Sequence, residues 1–463
     1  MYNFFKNNIE ALSRHTSCRL PDKLPANVSV QKTQSGEVTI KYGELLIHSA
    51  YDPVKEGQII AKNIVVGSLV CLYGFGLGYH VQAILDKIGP EGSLVVIELN
   101  PDLLASAMIL RDQTALLSQK HLHLVFGKEE ASVAGKISGH MDHPSHAAST
   151  VIFHSPSFKC IPKHFNRIIN ALEILQMERR GPAVFGDLEN SNYALNKETV
   201  NRSPGINAYR DSHKNRPAIL LSAGPSLDNV LPYLGEMEKH CVIACVDTAF
   251  PILSQQGIFP HYVFSLDPQE ESFFHFIDNL ENTAKLIYTP TANSNIVSCY
   301  KGEKIVVFKE GHSLFKYDVA LMKEKGATPA GGSVSCLGID CLIQLGCNPI
   351  MLAGQDCMFS GNRTYSRHAM INSELLDEAS SFITLEQVHF KKMRETKLVS
   401  VENLDGEVFS TNQMMYSYLR NIEQLAETHP KTKIYNLLSR GARIENTTSL
   451  GSITDIMKLL PSL

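Results

Sequence analysis

Four stretches of this chain place polar or glycine-rich residues directly after an apolar run: Ser222-Ala-Gly-Pro-Ser-Leu-Asp228, Asp247-Thr248, Asp267-Pro-Gln269 and Gln355-Asp356. Each pattern reads as a buried parallel strand delivering those residues to its carboxyl end. One strand-end Asp is ordinarily a helix cap. Four strand ends of this kind instead point to a binding crevice, because ligands of open parallel sheets sit outside the carboxyl ends of the strands. The first stretch turns at Gly224-Pro225-Ser226 and opens a helix from Leu227, which presents backbone N–H groups and a positive helix end to a phosphate or carboxylate. Gly332-Ser333, before the apolar segment from Val334, is a second helix start of the same kind.

The elements that must hold these residues alternate strand and helix. Residues 1–65 read as an N-terminal helix and a small β element with a hairpin around Gly43. Residues 66–180 form a Rossmann-like unit. In it a strand enters Gly74-x-Gly76-x-Gly78, a helix runs from Tyr79 to Ile88, and a second strand, Ser93–Ile97, closes on Glu98. An acidic residue at that place is where nucleotide-binding units hold a ribose. The glycine pattern resembles class I methyltransferases and spermidine synthases more than dehydrogenases. His154-Ser-Pro-Ser157 is no acceptor motif of that class, so the unit reads as a structural or docking domain with a degenerate nucleotide site. A junction falls near Gly181-Pro182, followed by an asparagine-rich helix. Residues 181–450 form the central domain and 451–463 a closing helix. The expected fold is α/β, with two Rossmann-like units and a helical C-terminal segment.

Bulk properties exclude several classes. A chain of 463 residues exceeds one compact core, and 44% hydrophobic with 19% charged residues is ordinary for a globular protein. A formal charge of −4 gives no reason to expect nucleic acid or an anionic membrane as partner. The ten cysteines include no C-x-x-C pair, and Cys336, Cys341, Cys347 and Cys357 lie in apolar segments as small hydrophobes rather than zinc ligands. No run suits a membrane span and the N-terminus lacks a signal-peptide core, so a cytoplasmic location is expected.

The motif set Ser222–Asp228, Val246-Asp-Thr-Ala249, Ser265-Leu-Asp-Pro-Gln269, Gly331-Gly-Ser-Val334 and Gly354-Gln-Asp356 resembles the motility accessory factor (Maf) family of flagellin glycosyltransferases, in the family's order over residues 185 to 450. The resemblance implies transfer of a nonulosonic acid, pseudaminic or legionaminic acid, from its CMP-activated form to Ser or Thr of flagellin. Such an activity serves flagellum assembly and motility. The family's central domain resembles bacterial sialyltransferases. By that similarity Gly224, Pro225 and Ser226 lie against the cytidine phosphate, and Gly332 and Ser333 hold the phosphate or the sugar carboxylate. Asp247, Asp267, Gln269 and Gln355 line the rest of the donor site.

Departure of CMP needs donors on the leaving phosphate and a base for the acceptor hydroxyl. His368 is the first choice for the base, with Asp356 and His389 as alternatives, and Tyr365 serves the leaving phosphate. Arg363 and Arg367 could steer the anionic donor. The resemblance assigns no base residue by residue. No Asp-x-Asp motif occurs, so no metal and no cofactor beyond the CMP-sugar is expected. Two other readings stay open. A pterin-type pyrophosphokinase shares a related central domain and would use Asp247, Asp267 and Asp356 on Mg²⁺. A non-catalytic flagellin-binding module would use the N-terminal face alone.

Overall fold

Apolar runs become strands here, and their alternation decides which core each side chain enters. The computed structural model describes residues 4–130, 132–133, 136, 149–315, 317–329, 332–359, 363–372, 385–396, 398–437 and 440–460. The chain divides into two units, Met1–Gln176 and Met177–Leu463.

The first unit begins with the helix Phe5–Leu12 and an antiparallel sheet of β1 (Val28–Lys32), β2 (Val38–Tyr42) and β3 (Leu45–Leu46). The turn between β2 and β3 places Gly43 at φ 58°, forming the hairpin expected there. A parallel sheet follows, built from β4 (Leu69–Tyr73), β5 (Ser93–Ile97), β6 (Leu122–Val125) and β7 (Ser149–Phe153) in the order β6-β5-β4-β7. Val70, Leu72, Leu94 and Val96 face one core, while Leu69, Cys71, Tyr73, Val95 and Ile97 face another. Both faces are thus covered, which is why these strands read as unbroken apolar runs. The chain builds outward from β4 through β5 to β6, then returns to β7 on the other side of β4. The ends of β4 and β7 therefore mark a topological switch point.

The second unit contains β8 (Ala218–Leu221), β9 (Val242–Val246), β10 (Tyr262–Ser265), β11 (Lys285–Tyr288) and β12 (Lys304–Val306). A short parallel pair, β13 (Phe308–Lys309) and β14 (Ala327–Thr328), precedes β15 (Ile350–Ala353). An antiparallel hairpin of β16 (Leu398–Glu402) and β17 (Val408–Asn412) leads to β18 (Ile434–Leu437) and β19 (Thr448–Leu450). The main sheet is parallel throughout, in the order β12-β11-β10-β9-β8-β15-β18-β19. Its direction of growth reverses between β8 and β15. The helix Val334–Gln344 packs on β8, β9 and β10, and the helix Gln413–Thr428 packs on that helix. The latter buries Leu419, Ile422 and Leu425 at helical spacing, as its amphipathic pattern requires. The architecture is α/β with two Rossmann-like parallel sheets. Beyond the helix Gln413–Thr428, β18 and β19 complete the second sheet, and the short helix Ile453–Met457 follows them.

Glu98, the expected ribose ligand of the first unit, is fully buried. Its carboxylate accepts the Phe75 N–H at 3.0 Å and the Asn100 N–H at 3.0 Å, so it ties the glycine turn after β4 to the end of β5. Burial pushes its carboxyl up to about 7, against the pull of backbone N–H groups of Asn100, Phe75, Gly76 and Leu99. The acid here closes the turn from within. Glu98→Gln replaces one acceptor oxygen by a donor facing another donor, which costs about 1–3 kcal/mol. Urea denaturation of the full chain is expected to show that loss in the transition of the first unit, and an unchanged midpoint would contradict it.

Candidate functional site

The β8 and β15 ends of the second sheet form its switch point, where ligands of such sheets bind. Side chains lock the two turns together there. Ser226 donates to Asp356 Oδ2 from its N–H at 3.0 Å and from its Oγ at 2.9 Å. Ser222 Oγ donates to Gln355 Oε1 at 2.8 Å and meets Ser335 Oγ at 3.0 Å. The Gly224 N–H donates to the Gly354 carbonyl at 2.9 Å. Gly354 has φ 73°, and a Cβ there would lie 1.9 Å from the Ser222 carbonyl oxygen, so only glycine permits this approach.

These contacts alter what the expected phosphate turn can do. The N–H groups of Gly224 and Ser226 are already engaged within the protein, and so is the Ser226 hydroxyl. The helix expected from Leu227 is a single turn, Leu227–Val230, followed by a 3-10 turn. The stronger helix start is the other one. Val334–Gln344 has eleven residues, Ser333 caps it by accepting the Cys336 N–H at 3.1 Å, and space remains beside Gly332. Among the described residues, a Cβ on Gly332 would meet nothing nearer than Asn421 at 3.8 Å and Tyr418 at 4.0 Å.

Acidic residues act on Tyr418, which stands near this helix start. Asp247 follows β9, is buried, and accepts the Thr248 N–H at 2.7 Å; burial and the neighbouring Asp267 push its carboxyl up to about 7. Asp267 follows β10 and is exposed as a residue, yet the protein packed around its carboxyl, together with Glu271, raises it as well. Tyr365, half-buried in the loop after β15, is raised by burial and by Asp247. Tyr418, also half-buried, is raised by burial and by Asp267, Tyr365, Cys336 and Asp247. Both phenols therefore stay protonated donors at neutral pH. Nothing local in the sequence marks Tyr418, and only its tertiary placement sets it among these groups.

The remaining candidates divide. Gln269 precedes the short helix Glu270–Phe274, and its carbonyl accepts from Asn293 Nδ2 at 3.1 Å. Asn192 and Asn196 brace the loops after β10 and β11 by donating to the carbonyls of Pro268 at 2.9 Å and Pro290 at 3.0 Å. Asn192 and Asn196 belong to the asparagine-rich segment read from sequence. Arg363 and Arg367 do not stand free to steer an anion. They pair with Asp228 at 3.4 and 3.0 Å, and Ser366 Oγ donates to the same carboxylate. Burial alone would raise the Asp228 carboxyl, but Ser366 and Arg367 outweigh it and hold it below the usual range. His368 is exposed beside this cluster, its N–H donating to Ser366 Oγ at 3.2 Å. His389 is buried, with Nε2 3.2 Å from Asn372 Oδ1.

The fold and site define a class: a two-unit α/β protein whose second sheet has a switch point near carboxyls, tyrosines and a capped helix start. Residues 5–177 match the family model of the glycosyltransferase Maf N-terminal domain, and residues 191–362 match that described as 6-hydroxymethylpterin diphosphokinase MptE-like. The resemblance to the Maf glycosyltransferases is thus borne out by family models: residues 5–177 are similar to the Maf N-terminal domain and residues 191–362 to an MptE-like domain. A solved structure described as a Maf glycosyltransferase from Magnetospirillum magneticum AMB-1 is similar at 16% identity, with 96% of this chain and 74% of that chain covered and a TM-score of 0.48. An uncharacterised protein of Treponema pallidum (strain Nichols) is 26% identical over 171 residues, covering 35% of this chain and 78% of its own length.

Asp356 gives this site a pH signature. Its Oδ1 has no hydrogen-bond partner among the described residues, and burial pushes the carboxyl up to about 6 despite both Ser226 bonds. The unfolded value is about 3.9, so the native chain holds more protons between the two values. The stabilising contribution is full below about pH 4 and is lost as pH rises through about 6. Relative to wild type, Asp356→Asn is therefore expected to be more stable at pH 8 than at pH 5. Melting curves of both proteins at the two pH values measure this, and a difference that does not move with pH would contradict it.

Proposed function

We propose that this protein is a glycosyltransferase that moves a nonulosonic acid, pseudaminic or legionaminic acid, from its CMP-activated form to Ser or Thr hydroxyls of flagellin, in the cytoplasm, in support of motility. The observation that carries the reading is the switch point at the ends of β8 and β15, together with the Ser333-capped helix, in a chain whose residues 5–177 match the Maf N-terminal domain. A CMP-nonulosonate brings a phosphodiester and a carboxylate. The start of the Val334–Gln344 helix suits one of these anions. Tyr365 and Tyr418 are neutral donors suited to the phosphate as negative charge develops on it. Asp247, near half-protonated at neutral pH, repels such a donor less than an ordinary carboxylate would. His368, exposed at the same loop, is proposed to take the proton of the incoming hydroxyl, with no metal or further cofactor required.

A specific pair of residues favours a second reading. Asp247 and Asp267 are adjacent carboxyls in a domain matched to a pterin diphosphokinase family, and such a pair suits Mg²⁺ beside ATP phosphates. A purely docking role in flagellin binding would need neither group.

The full chain should be incubated with flagellin and CMP-legionaminic or CMP-pseudaminic acid, following CMP release and the intact mass of flagellin. One sugar adds to flagellin per CMP released. His368→Ala is expected to lower kcat by ~10²-fold or more, the usual contribution of a general base. Tyr365→Phe is expected to lower kcat with little change in KM. AMP formed from ATP and a hydroxymethylpterin in the presence of Mg²⁺, with no mass shift from either donor, would establish the second reading instead.

A further inference from the structure

The switch point of the first sheet is furnished differently from that of the second. His154 follows β7, His80 lies in the first turn of the helix Tyr79–Ile88, and His48 follows β3. All three are buried, and one nitrogen from each lies within 4.8 Å of the other two. Each ring is held through its remaining nitrogen. His48 Nδ1 meets Glu56 Oε2 at 3.2 Å, His80 Nε2 meets the Gly74 carbonyl at 2.8 Å, and His154 Nδ1 meets Ser157 Oγ at 2.7 Å. A carboxylate, a carbonyl or a hydroxyl on the outer nitrogen is the arrangement that orients imidazole as a metal ligand. The inner atoms His80 Nδ1 and His154 Nε2 have no hydrogen-bond partner among the described residues, which is costly for buried polar atoms.

The glycine turn serves these rings rather than a pyrophosphate. Gly76 has φ 51°, and a Cβ there would lie 2.4 Å from His48 Nε2 and 3.2 Å from His80 Cε1. The turn's donors are also occupied, since the Phe75 N–H goes to Glu98 and the Leu77 N–H to His48 Nε2 at 2.9 Å. His80 Nδ1 then presents a lone pair, since its Nε2 donates to the Gly74 carbonyl, and His154 Nε2 presents one in the tautomer whose Nδ1 donates to Ser157 Oγ; such lone pairs attract a cation. A cavity of about 580 Å³, lined by Ser49, Glu56, Ile60, Phe153, His154 and Ser155 among others, reaches His154.

We infer that His48, His80 and His154 of the N-terminal unit bind a borderline divalent transition-metal ion, of which Zn²⁺ is the type, with its fourth position reached from the cavity beside His154. Imidazole suits Zn²⁺ and its first-row neighbours, and three protein ligands are the number found where zinc keeps an open position. All three rings are held below the usual histidine range by burial, so they are neutral at pH 7, the form that ligates. The His80 and His154 rings lie 19° from parallel with centroids 4.2 Å apart. Loading therefore requires one ring to tilt about its broad χ2 torsion, and the ion replaces the Leu77 N–H at His48 Nε2.

The test uses the full chain stripped with a chelator and then titrated with Zn²⁺ against a chromophoric competitor. Co²⁺ serves as a spectroscopic probe of a tetrahedral nitrogen site. One equivalent of Zn²⁺ per chain, a Zn²⁺-dependent rise in thermal midpoint and a visible Co²⁺ band are expected. His154→Gln should weaken binding at least ~100-fold. Glu56→Gln, which changes a partly exposed side chain outside the ligand set, should weaken it ~10–100-fold without loss of fold. Should His154→Gln fail to fold, the wild-type stoichiometry and the Glu56→Gln shift decide. Substoichiometric binding by wild type, or affinity unchanged in Glu56→Gln and any folded His154→Gln, overturns the site.

Discussion

Burying the Asp356 carboxyl between β8 and β15 disfavours its charged form, and two hydrogen bonds from Ser226 offset part of that cost. The rest of the second unit's crevice depends on this contact. It fixes the turn after β8 against the turn after β15, close enough that Gly224 and Gly354 must both lack a side chain. From the same β8 turn, Asp228 reaches the loop after β15 and gathers Arg363, Ser366 and Arg367. The Ser366 N–H also donates to the Ala223 carbonyl at 2.7 Å. Tyr365 lies between two of these anchored residues, so its position follows from the turn contacts rather than from its own loop.

The charge pattern of the crevice constrains what it can receive. Its two nearby arginines are committed to Asp228, and Asp247, Asp267 and Asp356 add acidity. An anionic ligand must then be met by neutral donors, namely phenol hydroxyls and the end of the Val334–Gln344 helix. The raised carboxyl of Asp247 makes this feasible near neutrality, because a protonated acid neither repels an anion nor demands a cation. The same pair of acids, when ionised, would instead suit a divalent ion. Which state is populated beside the substrate is thus the physical difference between the two functional readings.

Much of this was legible in the chain itself. Apolar runs ending in Ser222, Asp247, Asp267 and Gln355 marked strand ends, because parallel strands buried on both faces carry no polar residues until they leave the sheet. The roles of those residues were less legible. Ser226 reads as a phosphate ligand until the β8–β15 pairing sets it against Asp356, a partner 130 residues away. Arg363 and Arg367 read as free cations until Asp228 is seen to hold both. Tyr418 fits a helix register otherwise explained by Leu419, Ile422 and Leu425, so nothing local distinguishes it. The strand β7 and the three histidines around it gave no periodic signal, since His48, His80 and His154 meet only through the sheet order.

The two sheets show that a glycine turn at a switch point does not by itself make an anion site. What matters is whether the chain's own acceptors have already taken the turn's N–H groups. In the first unit Glu98 and His48 take those of Phe75 and Leu77, and His80 Nδ1, whose ring donates from Nε2 to the Gly74 carbonyl, is left without a hydrogen-bond partner among the described residues, which favours positive charge. In the second unit Asp356 and the Gly354 carbonyl take those of Ser226 and Gly224. Anion affinity there must pass to the neighbouring helix start at Gly332-Ser333, where the described surroundings leave room and Ser333 accepts the Cys336 N–H. The Gly-Pro-Ser turn accordingly shapes the crevice, while the helix beginning at Val334 and the two tyrosines supply its donors.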